Sequence, residues 1–235
     1  MKKVVIVIPV HQKELNKDEQ KSLAQCQKIL GHYPIYFAAP EGLNPSYFST
    51  IKNYQIKYFD EKYFKSPKSY NQFLVTKEFY KSFQDYEYML IYQVDTFVFS
   101  DQLLEWCEKG FDYIGAPQLN ENHFNNPGYK NSLWNPLLLN GGLSLRKISS
   151  FIRLLNIYHL FYPEWPGHED ALFSFQLRRA WPLRFLFNLP TWQTALQFAF
   201  EAEPEKCYEL NGKQLPFGCH AWEKFNPQFW SQFMG

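Results

Sequence analysis

The chain has 235 residues and a formal net charge of +1, with acidic and basic side chains interspersed. That length holds one well-cored domain without forcing two, and the lack of a basic block argues against a nucleic-acid backbone as partner. Aromatic residues make up 20% of the chain, which suits either a bulky core or flat stacking platforms for sugars and bases.

The opening "MKKVVIVIPVHQ" has the lysines and apolar run of a signal peptide. The run covers only residues 4–10, Pro9 interrupts it and no small-residue cleavage site follows, so it predicts a buried first strand. In "LNKDEQKSLAQCQKILGHY", Asn16 caps a helix with Glu19 three residues on, Leu23, Cys26 and Leu30 mark one face, and Gly31 stops it. "PIYFAAP" is a second strand. "NPSYFSTIKN" reads as a short helix capped by Asn44 with Pro45 in its first turn. "YQIKYF" is a third strand, residues 69–83 carry one helical stripe, and "YMLIY" is a fourth strand. This alternation predicts an α/β fold with a mixed, mostly parallel central sheet flanked by helices.

Beyond that strand come "TFVF", a capped helix in "DQLLEWCEKG", and a strand in "YIGAP". The Asn-, Pro- and Gly-rich stretch 116–136 has the length of a functional loop. "GGLSLR" is a strand, Ile148, Ile152 and Leu155 mark a helix, and another helix starts near Glu169. The Asn211-Gly212 turn predicts a C-terminal hairpin. No window approaches the roughly 18 apolar residues of a membrane span. Cys26, Cys107, Cys207 and Cys219 form no C-x-x-C pair, which predicts reduced thiols and a cytoplasmic setting.

Ligands of open α/β sheets bind outside the carboxyl ends of the strands. Asp95, beyond the fourth strand, and Pro9, Val10 and His11, at the end of the first, therefore face one crevice. Asp95 is either a solvated turn cap or a carboxylate met there by a cation or donor, because burying it alone costs several kcal/mol. Gly141-Gly142 lets a ligand approach the backbone or makes a tight turn. Glu169-Asp170 falls in a helix first turn, where carboxylates are favoured by the dipole. His220, in "PFGCHAW", is a core histidine or a ligand.

Taken together, "YMLIYQVDTFVF", "DYIGAP", "NGGLSLRK", "HEDALF" and "LPFGCHAW" resemble the bacterial glycosyltransferase-like family DUF5672, of GT-A fold, over nearly the whole chain. The Gly-Gly and Glu-Asp segments are also similar to those of inverting galactosyltransferases. The resemblance implies one GT-A domain over 1–235, with a nucleotide-binding part at about 1–115 and an acceptor-binding part at about 116–235. Where such enzymes carry Asp-x-Asp, this chain has Gln93-Val94-Asp95. Asp95 and His220 would then bind a divalent Mn²⁺ or Mg²⁺, with Gln93 on ribose or sugar. Pro9, Val10 and His11 would line the nucleotide, with Ser69, Tyr70 and Asn71 touching it. Gly141 and Gly142 would admit the sugar, and Arg146 would anchor its strand or a phosphate. Asp170 would be the base that activates the acceptor hydroxyl, with inversion, and Glu169 would bind hydroxyls beside it. Trp134, Trp165 and Trp222 would stack on acceptor sugars.

The implied function is transfer from a nucleotide-diphosphate sugar to a hydroxyl of a bacterial surface glycan or glycolipid, with peripheral membrane association where the acceptor is lipid-linked. Two alternatives stand beside it: a non-catalytic carbohydrate-binding protein on the same fold, and a metal-dependent sugar-phosphate hydrolase. The second lacks the dense Asp/His clusters of two-metal sites.

Overall fold

The computed structural model describes residues 1–132, 134–162, 164–176, 185 and 187–234. The apolar N-terminal run forms β1 (Lys2–Pro9), with residues 4–8 no more than 3% exposed. Such burial on both faces suits β-branched side chains at the middle of a covered sheet. β2 (Ile35–Pro40), β3 (Gln55–Phe59) and β4 (Tyr86–Tyr92) are parallel to β1. Beyond a short β5 (Thr96–Val98), β6 (Tyr113–Pro117) and β7 (Leu139–Lys147) complete the six-stranded sheet in the order β3-β2-β1-β4-β7-β6. β7 runs antiparallel to both of its neighbours. The fold is therefore the mixed, mostly parallel α/β sheet expected.

The helices follow the capping chemistry in the sequence. α1 (Lys17–Leu30) starts at the Asn16–Glu19 capping box. The single helix expected over 69–83 is two, α2 (Pro67–Leu74) and α3 (Lys77–Lys81). Val75 and Thr76 divide them: the Thr76 hydroxyl donates to Phe73 O at 2.7 Å and accepts from Phe79 N, closing one helix and capping the next. The helix expected after Asn44 is a 3₁₀ turn, Ser46–Thr50, with Pro45 at its cap. α4 (Leu103–Glu108) forms where expected but without the side-chain cap, since Gln102 at its N-cap makes no capping hydrogen bond, and stretch 116–136 contains α5 (Glu121–Asn125), capped by Asn120. α6 (Ile148–Phe161) follows β7.

The helix expected near Glu169 starts there and passes directly into a π-helical turn, Ala171–Gln176. α7 (Trp192–Phe198) leads into β8 (Ala199–Phe200). The expected C-terminal hairpin does not form among the described residues: Asn211 instead ends α8 (Pro204–Leu210), and Gly212, at φ 65°, turns the chain there. β9 (Gly218–His220) and α9 (Pro227–Ser231) close the chain.

A second sheet, in the order β5-β9-β8, places the site. β9 is antiparallel to β5 with Thr96 opposite His220, and parallel to β8. The imidazole near the C-terminus is thereby delivered beside the turn that carries Asp95. All four cysteines are free and buried. No helix among the described residues is long and apolar enough to cross a membrane.

Candidate active site

A cavity of about 590 Å³ opens at the carboxyl ends of β1 and β4, within the range of small-molecule sites. Pro9, Val10 and His11 line it from β1, and Tyr70 and Asn71 from α2. Gln93 and Asp95 enter from the turn after β4, Gly141 and Gly142 from β7, His220 from β9, and Glu169 and Asp170 from the two helical residues just before the π-helical turn.

His220 is 9% exposed. Its Nδ1 lies 3.0 Å from Glu201 Oε1, and its Nε2 lies 3.1 Å from Gln93 Oε1 and 3.3 Å from Asp95 Oδ1. Burial lowers an imidazole's proton affinity, but hydrogen bonds and charge from Asp95 and Glu201 outweigh it and push His220 up to about 10. For Asp95, burial alone would raise the carboxyl; contact with the His220 charge prevails and holds it below the ordinary carboxylate range. Asp95 Oδ1 is buried and meets the His220 ring at 3.3 Å, sharing Nε2 with the nearer Gln93 Oε1 and having no other partner. The charge at the end of an apolar strand is thus partly solvated, with the side chain 29% exposed, and partly paired through its buried oxygen.

The opposite wall is built on Arg146. It is fully buried and donates to Ser144 Oγ (2.9 Å), Tyr80 Oη (2.9 Å), Gly141 O (3.2 Å) and Glu169 Oε1 (2.9 Å). Arg146 does not line the cavity, which corrects its reading as a sugar-nucleotide contact: its fork is spent on Glu169 and the β7 backbone. Glu169 N donates to Asn71 Oδ1 at 2.9 Å, tying α2 to the same wall. Beside this pair, Asp170 accepts from Ala171 N at 2.6 Å. Burial, followed by the Glu169 charge, pushes its carboxyl up to about 6.

The paired glycines are explained by these side chains. A Cβ on Gly141 would lie 2.1 Å from Glu169 Oε1, and one on Gly142 2.1 Å from His220 Nε2. Here glycine makes room for the protein's own acid and imidazole. Gly142→Ala is expected to cost about 1–3 kcal/mol, as overpacking does, and to push the His220 ring off Asp95. Urea unfolding measures the first effect and the His220 ring resonances the second.

Other expected contacts lie elsewhere. Ser69 does not line the cavity; its hydroxyl closes the α2 capping box, accepting from Ser66 N at 2.9 Å. Trp222 is 6% exposed and donates to Ser22 Oγ at 2.9 Å beneath the Phe97 edge, a core residue and no stacking platform. Trp165 donates to His168 O at 2.7 Å and Trp134 is 86% exposed; neither lines the cavity. The sequence reading missed Glu201, Asn140 and Glu223. Asn140 Nδ2 donates to Glu201 Oε1 at 2.9 Å, and Glu223 lines the cavity with its Oε2 buried and unbonded. Glu201 carries the signal that singled out Asp95: a carboxylate directly after an apolar run, "LQFAFE".

Among the described residues, no three His, Cys, Asp or Glu side chains are grouped to hold a metal. The Asp95–His220 pair nonetheless has the chemistry of a two-ligand cation site. One carboxylate oxygen is unbonded, and an imidazole nitrogen beside it carries a proton that a cation can replace.

The sheet order, the second sheet and the strand-end cavity together define the GT-A glycosyltransferase fold. The galactosyltransferase LgtC, solved with donor and acceptor sugar analogs, is similar over 98% of this chain and 95% of its own, at 12% identity and a TM-score of 0.52. Mouse xyloside xylosyltransferase 1 matches over 92% and 96%, at 11% identity and 0.53. The glycosyltransferase GlyE of Streptococcus pneumoniae TIGR4 matches over 100% and 60%, at 13% identity and 0.50. Such identities speak for the fold alone. Residues 53–220 match the family described as "Protein of unknown function (DUF5672)", and the chain belongs to that family. No curated protein matches the sequence.

Proposed function

We propose that this chain is a glycosyltransferase that moves a sugar from a nucleotide-diphosphate donor to an acceptor hydroxyl. The observation that carries the reading is the convergence in one strand-end cavity of the Asp95–His220 pair and a half-buried carboxyl, Asp170, poised at about 6. A pure carbohydrate binder has no need of a carboxyl tuned toward neutrality.

The residues divide the work. Pro9, Val10 and His11 line the nucleotide end, with Tyr70 and Asn71 across from them. Gln93, held between His220 and Tyr70 Oη, offers its amide to ribose or sugar. Asp95 and His220 would hold a divalent cation, Mn²⁺ or Mg²⁺, which when bound offsets charge on the leaving diphosphate. Asp170 takes the acceptor proton as the bond to the anomeric carbon forms on the face away from the diphosphate, which gives inversion. Glu169, immobilised by Arg146, orients hydroxyls beside it. We place the acceptor as a surface glycan or its lipid-linked precursor, as the family resemblance implies. The natural site of action is then the cytoplasm or its membrane face, with the whole chain acting as one domain.

The test is the thermal shift of the protein with UDP, GDP, CDP and dTDP, each with and without Mn²⁺. Stabilisation by one of them that grows with Mn²⁺ is expected, and it names the donor nucleotide. No shift with any pair would return the site to the carbohydrate-binding reading.

A further inference from the structure

Glu201 sits directly after β8 and does not line the cavity, yet it closes a ring of hydrogen bonds around it. Its Oε1 accepts from His220 Nδ1 at 3.0 Å and from Asn140 Nδ2 at 2.9 Å. Asn140 Oδ1 accepts from Gly142 N at 2.7 Å, Gly142 O accepts from Gln93 N at 3.0 Å, and Gln93 Oε1 accepts from His220 Nε2 at 3.1 Å, back at the start. The ring joins β8, β7, the turn after β4 and β9, elements remote in sequence.

An imidazole packed against Gly142 can sit either way round, since a half-turn about its Cβ–Cγ bond exchanges nitrogen and carbon positions. What selects the flip is the hydrogen bond made by the nitrogen that faces away from the cavity. Among the described residues, Glu201 alone meets Nδ1. We propose that Glu201 is a positioning residue: it fixes His220 with Nε2 toward Asp95 and, through Asn140, holds the Gly141–Gly142 backbone that the ring rests on. The role rests on the transferase reading for its purpose and on geometry alone for its existence.

The experiment has two arms. Proton NMR of the free protein at neutral pH should show a downfield Nδ1–H resonance, assigned to His220 by its loss in His220→Ala. It should vanish in Glu201→Ala and persist in Glu201→Gln, which keeps an acceptor oxygen. In the second arm, titration with Mn²⁺ plus UDP, GDP, CDP or dTDP in turn should show Glu201→Ala binding roughly 10–100-fold more weakly, as loss of a carboxylate behind a ligating histidine does. Glu201→Gln should recover part of that loss, and Glu201→Ala should add nothing in a His220→Ala background. Persistence of the resonance in Glu201→Ala, or an undiminished effect without His220, overturns the proposal. Should the wild-type protein bind no cation and nucleotide at all, the transferase reading falls while the resonance still decides the positioning role. Glu201→Gln keeps the test open if Glu201→Ala fails to fold.

Discussion

Asp170→Asn should bind the donor nucleotide as the wild type does and transfer sugar roughly 10²–10⁴-fold more slowly, the usual worth of a positioned general base. The split between binding and transfer is the informative part. The asparagine keeps an oxygen to accept from Ala171 N, a 2.6 Å bond in the wild type, so the wall is preserved and only the proton acceptor is lost. The wild-type rate should fall as pH drops through about 6, because burial and the Glu169 charge hold the Asp170 proton to that point, and a protonated carboxyl cannot serve as base. The same shift has a stability consequence of opposite sign. A carboxyl raised from 3.8 to about 6 on folding favours the native state while protonated, and that advantage is lost as pH rises through 6. Asp170→Asn, neutral throughout, should therefore be more stable than the wild type at pH 8 by on the order of 3 kcal/mol. The gap should close by about pH 4. Urea unfolding at the two pH values reads it, and the anomeric configuration of the product, read by NMR, tests inversion directly. A variant with near-normal transfer would remove Asp170 from the chemistry.

Much of this site was legible in the sequence because it follows from where strands end. Asp95 and Pro9-Val10-His11 terminate buried apolar runs, so a parallel sheet brings them to one edge whatever the intervening helices do. The glycine pair was legible as a close approach, though what approaches was not: Glu169 and His220 press on it from elements 27 or more residues away in the chain. Arg146 read as an anchor of its strand or of a phosphate because a single arginine in an apolar strand carries no mark of its partner; only the packing around β7 shows that Tyr80 and Glu169, with Ser144 and Gly141 of the strand itself, consume its donors. Trp222 failed for the same reason, since an aromatic ring reads alike in a core and on a platform. The break between α2 and α3 was visible in Val75-Thr76, a β-branched pair with a hydroxyl able to cap, but the apolar stripe across it masked the signal. Glu201 had the sequence mark of Asp95 in a run that pairs with a distant three-residue strand, so nothing local tied it to His220.

Arg146→Met should be the most destabilising single substitution in the cavity wall, by about 3–5 kcal/mol, because it strips the partner from a carboxylate that is only 6% exposed. The cost comes from Glu169 left charged and unpaired, and to a lesser degree from Tyr80 Oη and Gly141 O losing a donor. The pairing predicts a rescue. Arg146→Met with Glu169→Gln should recover part of the loss, since a neutral amide needs no counter-charge, whereas additive costs would mean that the two groups are not coupled. Arg146→Lys should fall between, as it keeps the charge but cannot reproduce a fork that reaches Ser144, Tyr80, Gly141 and Glu169 together. Function offers an independent readout. The Arg146 charge lowers the Asp170 carboxyl, so any Arg146→Met protein that folds should show the acid limb of its pH–rate profile moved above that of the wild type. The lysine variant should move it less. An unchanged limb in a folded, destabilised Arg146→Met protein would separate the Glu169 pair from Asp170 and confine Arg146 to holding β7 and the π-helical turn together.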